Sequence, residues 1–144
     1  MKIVDVNILL YAGNSRAPQH EAVLHWWERA LDGDESIGLA WVVLHGYLRI
    51  STNRSIFEQA LPMNVACRKV ENWMARGVVS LIRERENHWQ TLHRLLSSGD
   101  VLGNLVADAH LATLAIDHGA TLVSCDNDFR KFPEVRWLNP LHVA

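Results

Sequence analysis

Cysteine is scarce in this chain of 144 residues, and the two present, Cys67 and Cys125, stand far apart. They have no ligand-type spacing to each other or to a histidine pair. A disulfide scaffold and a zinc-finger site are therefore excluded, and two free, buried thiols are expected. Long hydrophobic runs are missing as well, since no apolar stretch approaches the roughly 20 residues that span a bilayer. The opening Met1-Lys2-Ile3-Val4-Asp5 carries a carboxylate too early for a signal peptide. These absences predict a soluble, cytoplasmic protein without a membrane partner. An excess of either charge is also lacking. Fourteen basic residues face sixteen acidic ones, a net charge of −2, so any polyanion site must be built from local charge, helped by a bound cation or not. Low-complexity tails, linkers and internal repeats are absent, and the length suits one domain, residues 1–144, around one core.

What is present is an alternation of strand and helix signals. Lys2–Val6 is short, β-branched and apolar, and reads as a buried strand whose apolar run continues to Tyr11. Helical spacing follows over His20–Leu31 and a short strand over Ser36–Leu39. A further helix covers Trp41–Ile50, and another is opened by Pro62 and Asn64 and stopped near Gly77. Val78–Ile82 reads as strand, and Trp89, Leu92, Leu95 and Leu96 as an amphipathic helix. Leu105–His118 is a strong helix closed by Gly119, and strands are expected at Thr121–Cys125 and Val135–Leu138. This order predicts an α/β fold in which a parallel sheet is flanked by helices on both faces.

In such a sheet, sites form outside the carboxyl ends of the strands, so acids at strand-to-loop junctions are the candidates. Asp5 sits in or at the end of the first strand, where an apolar setting makes a carboxylate costly unless something compensates it. A helix N-cap or a buried ion pair is the bland explanation of Asp5. Asp126 and Asp128 follow a late strand, where plain turn residues are common. Asp108 lies one turn inside the Leu105–His118 helix, where the helix dipole alone favours an acid. Together the four select a hard cation with oxygen ligands, because no histidine or cysteine stands at ligand spacing beside them. Magnesium or manganese fits; zinc does not. Metal-assisted hydrolysis of a phosphodiester is the natural reaction for such a cluster.

The opening D-V-N-I-L-L-Y-A, the long G-N-L-V-A-D-A-H-L-A-T-L-A-I-D-H-G-A-T-L-V-S-C-D-N-D-F-R-K-F-P and the closing R-W-L-N-P-L resemble the VapC toxins of the PIN-domain ribonuclease family. The resemblance implies a PIN fold, Mg2+ or Mn2+, and endonucleolytic cleavage of RNA by a metal-activated water. It also implies an antitoxin protein as partner. By this likeness Asp5, Asp108 and Asp126 are the catalytic, metal-binding aspartates and Asp128 a fourth acid beside them. Asn7 and Ser124 match supporting positions. One departure stands out: Gly46, or His45 if the alignment slips by one, occupies the place on the Trp41–Ile50 helix where many PIN domains carry a glutamate. A catalytically degenerate PIN-like module that binds RNA or antitoxin without cutting is thus the second reading. A phosphotransfer or receiver domain ranks low, because Lys2, Lys69 and Lys131 are the only lysines and none is well placed.

The eight histidines show no shared motif, so surface or satisfied core positions are expected for His20, His25, His88, His93, His118 and His142. His110 should point away from Asp108. Trp26, Trp73 and Trp89 fall on apolar helical faces and suggest core packing or a partner groove. The adjacent pair Trp26-Trp27 cannot both face one core, which with the family likeness suggests a homodimer or a toxin–antitoxin hetero-oligomer. Arg49, Arg54, Arg130 and Lys131 are the basic residues near enough to the expected site to meet phosphates, and a plain solvated surface suits them equally.

Overall fold

The computed structural model describes residues 1–142. Among them, five strands form one parallel sheet: β1 (Lys2–Val4), β2 (Ile37–Ala40), β3 (Val79–Ile82), β4 (Thr121–Val123) and β5 (Arg136–Leu138). Six helices intervene: α1 (Val6–Gly13), α2 (His20–Asp32), α3 (Trp41–Ser51), α4 (Met63–Met74), α5 (His88–Leu96) and α6 (Leu105–Asp117). They cover both faces of the sheet, which is why β1, β2 and β4 read as continuous apolar runs rather than alternating ones. Ile3, Val4, Leu39, Leu122 and Val123 are all fully buried.

The strand order is β3-β2-β1-β4-β5. From β1 the chain winds outward through β2 to β3, then returns to lay β4 on the other side of β1. The order reverses between β1 and β4, and the crevice at their carboxyl ends is where an open parallel sheet places its ligand. Val4 pairs with Val123, and the Asp5 amide donates to the Val123 carbonyl at 2.9 Å. The residues following each strand, Asp5 and the Ser124–Asp126 run, therefore emerge side by side.

The sequence placed Asp5 and Val6 in the first strand; the strand ends instead at Val4, and Val6 already opens α1. The fourth strand likewise ends at Val123, before Ser124 and Cys125. Both cysteines are free but half-buried, not buried. Of the tryptophan pair, Trp27 is the core residue, at the edge of the Trp73 ring, while Trp26 is half-buried on the neighbouring face. Trp89 does not pack in the core at all and stands 62% exposed on α5. No helix among the described residues is long and apolar enough to cross a membrane.

Candidate active site

Asp5 occupies the junction where β1 hands over to α1, and its backbone is extended, as an N-cap requires. One carboxylate oxygen accepts from the Val6 amide at 2.7 Å. The other accepts from the Ser124 hydroxyl at 2.8 Å and from the Asn7 amide nitrogen at 3.3 Å. Asp5 is thus a helix cap and part of the acidic site at once. Burial pushes its pKa upward, the Ser124 and Val6 hydrogen bonds oppose that, and the negative charge of Asp126 adds to it.

Asn7 and Ser124 knit the two strand ends together. Asn7 donates to the Ser124 hydroxyl oxygen at 3.0 Å and accepts from the Cys125 amide at 3.1 Å. Ser124, completely buried, also accepts from the Asp126 amide at 3.0 Å. Two residues that sequence reasoning did not single out hold this segment from the side of β5. The Trp137 indole donates to the Ser124 carbonyl at 2.9 Å, and Asn139 donates to the Cys125 carbonyl at 3.4 Å. Both lie in the R-W-L-N-P-L closing motif, which was the available signal. Cys125 is a free, half-buried thiol just past the end of β4. Burial first, then the charge of Asp5, pushes its thiol up to about 11, so it stays protonated.

Asp126 caps a 3-10 turn, Asn127–Lys131, by accepting from the Asp128 amide at 2.9 Å. Asp108 comes from α6, a helix buried at Ala109 and from Leu111 through Ala115. An all-round apolar helix of this kind belongs in the interior, and Asp108 stands where it emerges into the crevice. The carboxylates of Asp108, Asp126 and Asp128 each bring an oxygen to within 4.8 Å of the others, the one such group of three or more ligand-type side chains among the described residues. Asp5 lies outside that triplet, tied down by its own hydrogen bonds, although its charge still acts on Asp108. The Asp108 pKa is pushed up to about 6 by burial and then by the charges of Asp126, Asp5 and Asp128, all acting in one direction.

Like charges crowded together raise one another's pKa, and a divalent ion removes the conflict. The donor set is all oxygen, which suits a hard ion such as Mg2+ or Mn2+. The other expectations divide. His45 is exposed and leans on the Trp41 ring, 6.1 Å between centroids, and Gly46 faces α1. A Cβ at Gly46 would meet Val6 Cγ2 at 3.4 Å, so the departure from the family pattern falls beside the residue that follows Asp5. Arg130 lies over the Trp137 ring at 5.8 Å, on the segment that carries Asp128. His110 does turn away from Asp108, toward α5.

A parallel sheet with this strand order, bearing acids at the β1 and β4 ends and at the start of α6, defines a class of α/β domains with an acidic cluster at the strand ends. The PIN domain family matches residues 2–135. Ribonuclease VapC37 of Mycobacterium tuberculosis is 41% identical over 140 residues, 97% of either chain. VapC ribonuclease Mb2897 of Mycobacterium bovis is 37% identical over 141 residues, covering 98% of this chain and 96% of the relative. Among solved structures, FitAcB from Neisseria gonorrhoeae superposes with a TM-score of 0.70 at 18% identity, covering 99% of this chain and 100% of the other. The sarcin–ricin loop cleaving toxin VapC20 of Mycobacterium tuberculosis gives 0.68 at 17%, covering 94% and 99%. This chain belongs to the PIN-domain family, in its VapC branch.

Proposed function

We propose that this protein is the toxin of a type II toxin–antitoxin pair, a Mg2+- or Mn2+-dependent endoribonuclease contained in a single PIN domain. The observation that carries the reading is the convergence of Asp108, Asp126 and Asp128 within 4.8 Å, with Asp5 beside them, at the point where the strand order reverses. Relatives of 33–41% identity that bear the name ribonuclease VapC support the reaction class. Fold neighbours solved as VapBC complexes support an antitoxin partner.

Asp108, Asp126 and Asp128 would hold the ion, and Asp5 would add negative charge from a position fixed by Val6, Ser124 and Asn7. A divalent ion there supplies positive charge to a phosphodiester and lowers the pKa of water. Ser124 and Asn7 keep the Asp5 carboxylate from rotating, and the cap from Asp126 to Asp128 orders the third acid. Asp108, its pKa raised to about 6 by burial and the neighbouring acids, is the carboxylate whose charged form a bound cation would favour most. A binding-only module is the second reading, favoured by Gly46 in place of an acid.

Purified protein incubated with a pool of structured RNAs, with and without Mg2+ or Mn2+ and beside Asp5→Asn, separates the two. Cleavage that needs metal and vanishes in the variant establishes the nuclease. RNA or antitoxin binding that ignores metal, with no cleavage of any RNA, establishes the module.

A further inference from the structure

Outside the acidic crevice, the first residue of α5 meets α6. His88 Nε2 lies 3.1 Å from His110 Nδ1, and both side chains are half-buried. The opposite nitrogen of His110, Nε2, faces Glu84 Oε1 at 3.4 Å. A carboxylate facing the far nitrogen favours the tautomer in which Nε2 carries the hydrogen and the Nδ1 lone pair is turned toward His88.

The two rings meet within hydrogen-bond geometry, but not along a straight bond. A straight N–H···N bond of this length would separate the ring centroids by about 5.4 Å, whereas they lie 4.8 Å apart at an interplanar angle of 61°. Nitrogens at this spacing, each about 2.0–2.1 Å from one ion, subtend about 100° at the metal, and rings whose lone pairs aim at that ion have centroids about 4.8 Å apart. The nitrogen spacing and the centroid spacing thus agree on a shared ion. We propose that His88 and His110 form a second metal site, taking a Zn2+-like transition ion rather than Mg2+, with Glu84 orienting His110. Imidazole donors select Zn2+, Co2+, Ni2+ or Cu2+, while Mg2+ demands oxygen ligands. Two protein ligands leave the remaining positions to water. His110 stands two positions beyond Asp108 on α6, so an ion here pins α5 to the helix that supplies one acid of the other site, without using any of its ligands.

The test uses untagged full-length protein with Mg2+ in excess, Zn2+ titrated calorimetrically and Co2+ as a visible-absorption probe. One Zn2+ equivalent is expected to bind despite the Mg2+ and to raise Tm. Both effects should disappear in His88→Gln and His110→Gln. In Glu84→Gln, an exposed change, affinity should fall about 10-fold or more. Asp126→Asn should retain full Zn2+ binding. In the unaltered protein, the ring resonances of His88 and His110 should be the ones that shift on adding Zn2+, which needs no variant to fold. Absence of Zn2+ binding, its survival in His88→Gln, its loss in Asp126→Asn or unmoved His88 and His110 resonances would each overturn the proposal.

Discussion

Replacing Asp108 by Asn should make the metal-free protein more stable, not less. The Asp108 pKa rises from 3.8 to about 6 in the folded chain. An acid whose pKa is raised by folding holds its proton more tightly in the native state. Stability is therefore greatest below the unfolded pKa and is lost as pH climbs through the folded one. The window is about pH 4–6. A shift of roughly two units corresponds to at most about 3 kcal/mol. Asp108 is only half-buried, so solvent screening brings that to about 1–2 kcal/mol. Asn is nearly the same size and carries no charge, so Asp108→Asn should raise Tm in EDTA at pH 7 by roughly 3–8 °C for a chain of this length. It should also flatten the fall in Tm between pH 4 and 6; Asp5, shifted in the same direction, accounts for what slope remains. Saturating Mg2+ or Mn2+ should reverse the order, because an ion at about 100 times its Kd stabilises the wild type by about 2.7 kcal/mol and the variant far less. Thermal melts by circular dichroism across this pH range, with and without metal, read all of this. A variant less stable than wild type in EDTA at pH 7, or identical slopes in the two proteins, would refute the reasoning.

Ser124→Ala removes the hydroxyl that serves Asp5, Asn7 and the Asp126 amide, and buried groups left unpaired should cost about 1–3 kcal/mol in chemical denaturation. Gly46→Ala should stabilise α3 by up to about 1 kcal/mol, since the new methyl makes an ordinary contact with Val6 and the helix loses a flexible residue; RNA cleavage should be unchanged. Trp27→Ala, deep in the core against Trp73, should cost about 3–5 kcal/mol. Trp89→Ala should stay within about 0.5 kcal/mol of wild type. Urea titrations of the two tryptophan variants side by side check the contrast.

The order of strands and helices was legible because each element carries its own period, and acids at strand ends were candidates because open parallel sheets form their sites there; the strand order, and with it the switch point between β1 and β4, was not. The boundary at Val4 was not legible. Val6 and Ile8 through Leu10 carry the apolar character past the strand with only Asn7 between, and periodicity alone cannot tell a buried strand from the first turns of a buried helix. Asp5 was read as either a cap or a site residue, yet its two oxygens perform both tasks. Asp126 and Asp128 were visible after a strand and Asp108 one turn inside its helix, but the closeness of Asp108 to Asp126 depends on how α6 meets the crevice, which no local pattern encodes. Trp89 lies on an apolar helical face that no other element covers, and spacing does not say whether a face finds a partner. That His88 meets His110 was not legible for the same reason: 22 residues of sequence separate side chains that meet across two helices.

The central claim is that the carboxylates at the switch point hold the ion on which RNA cleavage depends. The most direct test measures single-turnover cleavage against Mn2+ concentration and, on the same samples, Mn2+ occupancy by electron paramagnetic resonance. The account predicts that rate follows occupancy, and that Asp126→Asn loses both while remaining folded. Cleavage that persists after chelation, or a variant that loses occupancy and keeps its rate, would contradict it.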